Sequence, residues 1–320
     1  DVDGEIVWRH REDGRSGVVG GGGGSEPRGR VLQHVPGHVL DGRVVVRIHR
    51  DGRAARQRVA RGERHDGAGG IDGVGPGHLH RTLARDVGEH PHRGFETVTI
   101  VYDGEVEHRD SSGGGGRIGP GDVQWMTAAS GLVHEEFHGR NFARHGGKFE
   151  MVQLWVNLPA KDKMSPPHYQ GITNSQIPTV GLPDVPDGQG TLRVIAGEFA
   201  GVNGPAKTFT PIHVWDLRLA GGLQTELALP DGFTTAIVVL EGGLRVNRSE
   251  LIGETEVGLF DREGQRISIE SVQNTKALLL SGEPIDEPIA GQGPFVMNTR
   301  EELLQAFQDF NAGKFGYLEE

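Results

Sequence analysis

Two short groups of histidine and glutamate carry the residue types that bind transition metals. The first is His90-Pro91-His92, and the second is His134-Glu135-Glu136. In an extended strand, residues two positions apart point to the same side of the sheet. Each group therefore supplies a matched pair, and two neighbouring antiparallel strands would bring three imidazoles and one carboxylate to a common point inside a barrel.

This donor set contains nitrogen and oxygen without sulfur, and it suits Fe(II), Mn, Co, Ni or Zn. It leaves positions open on a six-coordinate metal, which substrate and dioxygen chemistry require. Glu96 has the same strand parity as His90 and His92, so it competes with Glu136 for the carboxylate position. A His-x-His pair alone is often two ordinary surface histidines. For two other histidines of this region, His108 and His138, we predict surface or rim positions.

These histidines and glutamates lie on or beside segments that are predicted to be short strands. The β-branched run from Thr97 to Tyr102 ends at the turn Asp103-Gly104, and Glu105 to His108 reads as the returning strand. Further strands are predicted at 123–126, 132–137, 149–158, 192–196, 212–219, 224–229, 234–240, 243–246, 257–260, 267–269 and 277–281. Such regular spacing predicts an all-β protein with two sandwich or barrel modules.

One helix is predicted at the end of the chain. Thr299 is followed three residues later by Glu302, which forms a capping box, and Gly313 ends the helical pattern. The apolar residues predicted to share one face are Leu303, Leu304, Phe307 and Phe310. We expect this helix to pack on a sheet.

Composition excludes several classes of function. The formal net charge is −11, which argues against direct binding of nucleic acid. The chain has no cysteine, so disulfides and thiolate chemistry are excluded. It contains no apolar run long enough to span a membrane, and its first residues show no signal peptide. We therefore expect a cytoplasmic protein.

Residues 1–88 differ from the rest of the chain. They contain no Lys, Asn, Phe, Tyr or Met, although all five occur later. A strand is predicted at Val44 to Ile48, but the segment supplies little material for a core. Two interpretations stay open: a diverged, poorly ordered extension, or an error in the coding frame. We favour the second because the composition changes abruptly just before His90.

Several longer motifs resemble those of pirins, which belong to the cupin superfamily. The stretches that carry the resemblance are His90–Thr99, Gly121–Ala128, Leu154–Pro159, Gly293–Thr299 and Gly313–Gly316. Together they run from about Glu89 to Gly316 in the family's order. Residues 1–88 depart from the family, whose members begin with strands and a segment rich in Phe and Leu.

The resemblance implies a bicupin fold, with two β-barrel or jelly-roll domains and a C-terminal α-helix. It divides the chain into residues 1–88, a metal-binding barrel at 89–165, a linker at 166–190, a second barrel at 191–298 and the helix at 299–313. The implied cofactor is one Fe(2+), or another divalent transition metal. The implied ligands are His90, His92, His134 and Glu136. The second barrel is expected to hold no metal, and residues 190–290 contain one histidine, His213.

Two functions follow from this resemblance. The first is an Fe(II)-dependent dioxygenase of the quercetin 2,3-dioxygenase type, which acts on a small flavonol-like substrate. Glu136 would then be the catalytic base as well as a ligand. The alternative is a non-catalytic, metal-dependent regulator that binds a transcription factor or a metabolic enzyme. In a eukaryote, a regulator of this kind would also occur in the nucleus.

Overall fold

A computed structural model of the protein describes residues 88–318 in full and, before them, the backbone of Val87 and of three strands. These strands are β1 (Gly29–Leu32), β2 (Val39–Leu40) and β3 (Val44–Asp51). The strand predicted at 44–48 lies within β3. The other predictions for residues 1–88, poor order or a wrong frame, fall on positions outside the described residues.

The first barrel is built from two antiparallel sheets. Its strands after β3 are β4 (Val87–His92), β5 (Phe95–Asp103), β6 (Val106–Asp110), β7 (Gly115–Ile118), β8 (Val123–Thr127), β9 (Leu132–His138), β10 (Phe149–Asn157) and β11 (His168–Ile172). One sheet has the order β11-β8-β5-β10-β3-β2, and the other has the order β4-β9-β6-β7. A short helix, α1 (Arg140–His145), connects β9 to β10.

The second barrel repeats this plan. Its strands are β12 (Thr179–Gly181), β13 (Gly190–Ala196), β14 (Glu198–Phe199), β15 (Val202–Asn203), β16 (Ile212–Leu219), β17 (Gln224–Ala228), β18 (Thr234–Glu241), β19 (Gly243–Val246), β20 (Glu250–Gly253), β21 (Val257–Phe260), β22 (Arg266–Ser271) and β23 (Thr275–Gly282). The larger sheet has the order β1-β21-β18-β23-β16-β13-β12, and the smaller has the order β17-β22-β19-β20. Strands β14 and β15 pair with each other.

The segment predicted as a linker, residues 166–190, contains two strands. Strand β11 pairs with β8 of the first barrel, and β12 pairs with β13 of the second. The connection therefore contributes one edge strand to each barrel.

The two larger sheets pack against each other through a shared apolar core. Val98, Trp125 and Leu154 enter it from the first barrel, and Val214 and Leu278 enter it from the second. Because burial of apolar surface stabilises by roughly 25 cal/mol per Å², this layer holds the barrels together as one unit.

The chain ends with β24 (Ala290–Gln292), β25 (Phe295–Met297) and the helix α2 (Arg300–Asn311). The predicted capping box is confirmed: the Thr299 hydroxyl accepts from the Glu302 N–H, and the Glu302 carboxylate accepts from the Thr299 N–H. Gly313 follows the helix with a φ of +74°. The prediction of two β-barrels and a C-terminal helix is therefore confirmed. Among the described residues, neither helix has the length and apolar character needed to cross a bilayer.

The predicted face of α2 is wrong at one position. Leu304 is 54% exposed. Leu303 and Ala306 are buried against β25, with Phe307 and Phe310 packed beside them. The correct face follows the spacing i, i+3, i+4 and i+7 of an amphipathic helix, and residue i+1 points away from it.

Candidate metal centre

Strands β4 and β9 bring together the three imidazoles that strand parity predicts. The strands are antiparallel, and His90 lies directly opposite His134 in their register. One ring nitrogen from each of His90, His92 and His134 lies within 4.8 Å of the other two. His92 and His134 are buried, and His90 is partly exposed. Three nitrogen donors therefore converge at one end of the first barrel.

Glu136 extends this group along β9. Its carboxylate, one nitrogen of His134 and one nitrogen of His108 form a second set within 4.8 Å. His134 belongs to both sets, so it connects Glu136 to His90 and His92. The Glu136 carboxylate accepts hydrogen bonds from Gln153 Nε2 at 2.7 Å, Gln124 Nε2 at 3.1 Å and Thr99 Oγ1 at 3.4 Å.

His134 has the properties of a metal ligand. Its side chain is fully buried, and burial, helped by the neighbouring imidazoles of His92, His90 and His108, holds its pKa well below the usual value. The ring is therefore neutral at physiological pH, as metal ligation requires. Its Nε2 is buried and has no hydrogen-bond partner among the described residues. Such an atom costs about 1–3 kcal/mol, so the residues present fit a metal ion.

The other two histidines are oriented by backbone carbonyl groups. His90 Nδ1 is 2.7 Å from the Gly88 carbonyl oxygen, and His92 Nδ1 is 3.3 Å from that of Pro294. A carbonyl oxygen can only accept, so in each neutral ring the proton is on Nδ1 and Nε2 carries the lone pair. Ligand histidines commonly show this arrangement.

Aromatic side chains line the group on two sides. The rings of Phe95 and Trp155 meet the His92 ring edge-on, with centroids 5.0 and 5.3 Å away. Tyr169 stacks on His108 at 5.2 Å, and its hydroxyl donates to Gln124 Oε1 at 3.3 Å. These contacts limit the movement of the imidazoles and fix the orientation of the Gln124 amide.

The residue after His92 connects the metal motif to the C-terminal helix. Arg93 Nη1 is 2.8 Å from Asp309 Oδ2, and the guanidinium lies over the ring of Phe315 at 4.5 Å. Bonds from Lys314 and Arg93 hold the pKa of Asp309 well below its usual value. The pair is buried, so one end of β4 is fixed to α2.

A glycine is required at the next position. Gly94 has a φ of +88°, and an added Cβ would lie 1.9 Å from the Val296 carbonyl oxygen. The buried Lys163 ammonium donates to the carbonyl groups of Gly94 and Val296 and to Asn157 Oδ1. Burial lowers the pKa of Lys163 to about 8. This lysine joins the turn between β4 and β5 to the C-terminal hairpin.

Glu96 lies outside both groups of candidate ligands. The turn at Gly94 separates β4 from β5, so strand parity does not carry across it. On β5, Glu96 shares its side with Val98 and Ile100 of the core between the barrels. It accepts a hydrogen bond from Thr127 Oγ1 at 2.7 Å, and burial raises its pKa to about 7.

The prediction that His108 and His138 are surface or rim residues is wrong. They are only 3% and 7% exposed. His138 packs against Phe149, whereas His108 joins the candidate site. The structure pairs β6 with β9 and places His108 opposite Glu136, in a register that the sequence alone does not fix.

Comparisons with known proteins agree with this architecture. A family model described as pirin matches residues 68–156, and one described as the pirin C-terminal cupin domain matches residues 214–316. A Pseudomonas aeruginosa protein, provisionally named a quercetin 2,3-dioxygenase, is 58% identical over 72% of this chain and 79% of its own length. A pirin-like protein from Caulobacter vibrioides is 41% identical over 71% of this chain and 79% of its own.

A solved structure extends the comparison to three dimensions. The crystal structure of a quercetin 2,3-dioxygenase from Acinetobacter baumannii is 53% identical to this chain. The match covers 74% of this chain and 82% of that one, with a TM-score of 0.72. The two-barrel fold with its C-terminal helix is therefore the cupin fold of these proteins.

Proposed function

The chain belongs to the pirin family, and we propose that it is a dioxygenase of the quercetin 2,3-dioxygenase type acting on flavonol-like substrates. The names of the Pseudomonas and Acinetobacter proteins support this choice of reaction. We propose Fe(II) as the metal, held by His90, His92, His134 and Glu136.

The observation that carries the proposal is the orphaned Nε2 of His134. It lies beside the imidazoles of His90 and His92, and His134 also clusters with the Glu136 carboxylate. When bound, a divalent metal ion supplies a Lewis acid with open coordination positions. The protein contributes the fixed geometry of the donors and the buried surroundings in which charge is felt strongly.

Glu136 has the position of the base in this proposal. One carboxylate oxygen would bind the metal, and the other would accept the proton of the flavonol hydroxyl. Gln153 and Gln124 hold the carboxylate by one hydrogen bond to each oxygen. Because these donors are neutral, they orient Glu136 without supplying a cation that would compete for it.

The experiment is turnover of quercetin by the full chain. Protein loaded anaerobically with Fe(II), with iron content measured, is mixed with quercetin in air, and both absorbance loss and carbon monoxide release are followed. We expect both signals to exceed those of free Fe(II) and of chelator-treated protein. Fully loaded protein without turnover above free Fe(II) would reject the enzyme, and metal-dependent partner affinity would then favour the regulator.

A further inference from the structure

A buried histidine that is not among the predicted ligands connects a carboxylate to one of them. In the register of β6 and β9, Asp110 lies opposite His134. His108 Nε2 is 3.2 Å from Asp110 Oδ2, and His108 Nδ1 is 3.3 Å from His134 Nδ1. The side chains of His108 and Asp110 are completely buried, so solvent does not compete for these bonds.

The direction of the first bond is set at the carboxylate. Asp110 Oδ1 accepts from the N–H groups of Ser112 and Gly114 and from the Ser112 hydroxyl. Oδ2 faces the His108 ring. Because an ionised carboxylate only accepts, His108 Nε2 carries the hydrogen and donates it to Oδ2.

The direction of the second bond follows. A neutral imidazole has one N–H, so the Nδ1 of His108 is an acceptor once its Nε2 is the donor. Two ring nitrogens at hydrogen-bond distance need one hydrogen between them, and His134 Nδ1 must supply it. The lone pair of His134 is then on Nε2, the buried nitrogen that has no partner among the described residues.

This result matches the other two histidines of the group. His90 and His92 direct Nδ1 to backbone carbonyl oxygens. His134 directs Nδ1 to a side chain, and that side chain can accept only while Asp110 keeps the hydrogen of His108 on Nε2. All three rings therefore present Nε2 as the coordinating atom.

We infer that His108, held by Asp110, is a positioning residue that fixes the Nδ1–H tautomer of His134 and directs its Nε2 lone pair toward His90 and His92. The inference rests on the proposed metal site. It assigns His108 a role through His134 and not as a ligand, although its ring also belongs to the second set of clustered donors.

The tautomer can be measured without metal or turnover. In the ¹⁵N NMR spectrum of the chelator-treated full chain, we expect His134 to be protonated on Nδ1 and bare on Nε2. Asp110→Asn should reverse the tautomer of His134. Three donors face the position of Asp110 Oδ1, so the amide oxygen must occupy that position and the amide nitrogen must take the position of Oδ2. It would donate to His108 Nε2, move the hydrogen of His108 to Nδ1 and force that of His134 onto Nε2.

Metal affinity provides a second readout, with Zn²⁺ as a diamagnetic probe in competition with a chelator. We expect Asp110→Asn and His108→Leu to weaken Zn²⁺ binding by about 10–100-fold, the usual effect of removing a partner that orients a ligand. His108→Gln should restore affinity, because its amide oxygen can accept from His134 while its nitrogen donates to Asp110. Asp122→Asn is the matched control, since that carboxylate accepts from the backbone N–H groups of Gly119 and Asn174.

Two results would overturn the inference. One is a wild-type His134 that carries its hydrogen on Nε2. The other is a Zn²⁺-induced coordination shift on a nitrogen of His108, which would make it a ligand. If His108→Leu fails to fold, the spectra of wild type and Asp110→Asn still decide the question. Failure of the proposed function can be told apart from failure of this inference. A protein that binds Zn²⁺ and shows the expected tautomer, but does not consume quercetin, would contradict only the dioxygenase function.

Discussion

The two barrels have the same plan and different interiors. In the second barrel, the space between the sheets is filled by apolar side chains such as Leu192, Trp215, Leu217, Leu244 and Ile267, all almost fully buried. In the first, apolar side chains such as Val106, Ile118 and Phe149 fill one part of the interior. Imidazoles, amides, hydroxyls and a carboxylate that bond to one another fill another part. An apolar filling stabilises the fold at every contact, whereas a polar one contributes little net stability and must be partnered throughout.

In this molecule, one barrel mainly supplies stability and the other carries the candidate site. The second barrel supplies a large core and a partner surface for the first. The first can then keep a buried nitrogen without a partner, His134 Nε2, at a cost in stability that the rest of the molecule offsets. We therefore expect a functional site where a polar cluster replaces the apolar side chains of a barrel's interior.

The largest expected effect is the loss of metal from the first barrel. The double substitution His90→Ala/His92→Ala removes two of three clustered imidazoles, and we expect metal content to fall from about one ion per chain to almost none. Elemental analysis of anaerobically purified protein measures it. His213→Ala, in the second barrel, is the control and should retain full metal; metal loss in this control would break the contrast between the barrels.

The next largest effect is on the proposed chemistry. Glu136→Gln keeps an oxygen near the metal position but cannot accept a proton, so turnover per bound metal should fall by about 10²–10⁴-fold. The measurement is quercetin consumption normalised to iron content. Glu96→Gln should stay within about tenfold, since Glu96 lies outside both groups of clustered donors. Equal losses in both variants would contradict the assignment of the base.

Shortening a side chain in the apolar interior of the second barrel should lower stability and leave the metal content unchanged. Leu217 is fully buried, so Leu217→Ala should lower the free energy of unfolding by about 2–5 kcal/mol. Urea denaturation measures this change, and elemental analysis of the folded variant should still give wild-type metal content. Leu251→Ala is the matched surface control, because Leu251 is 49% exposed. Its expected effect is within about 0.5 kcal/mol.

The expected effect with the narrowest scope is on the pH dependence of stability, and it concerns Glu96. Burial raises the pKa of Glu96 from 4.5 to about 7, so the folded state keeps a proton that the unfolded state releases. The contribution of this group to stability is present below pH 4.5 and is lost as the pH rises toward 7. The shift corresponds to about 3 kcal/mol.

Glu96→Gln should remove this part of the pH dependence, because glutamine does not titrate and its oxygen can still accept from Thr127. Urea midpoints of chelator-treated protein between pH 4.5 and 8 measure it. Glu226→Gln, at an exposed position of the second barrel, should follow the wild-type curve. If the Glu96→Gln curve is parallel to that of wild type, Glu96 is ionised in the fold.

Many of the strands could be predicted from the sequence. The strands at 212–219, 243–246 and 257–260 have the predicted bounds, because apolar and β-branched runs between turns define them locally. Strands β14 and β20 are not predicted from the sequence. They form only because a neighbouring strand is present to pair with them.

Some features of the candidate site could likewise be predicted from the sequence, and others could not. The convergence of His90, His92 and His134 follows from strand parity, which is a local property. Parity failed for Glu96, because the turn at Gly94 resets the direction of the side chains. The place of His108 depends on which strands pair, and that is decided by contacts far apart in the sequence. Its role through Asp110 required side-chain distances.

The bond between Arg93 and Asp309 joins residues 216 positions apart, and the carbonyl that orients His92 comes from Pro294. During synthesis, the His-Pro-His motif leaves the ribosome long before these partners exist. Because a chain is made at about 5–20 residues per second, the motif waits on the order of ten seconds or more for the groups that orient it. If the proposed metal site forms, it can reach its final geometry only after Pro294 and Asp309 have been made. The C-terminal segment would then determine when the site is complete, although it contributes none of the proposed ligands.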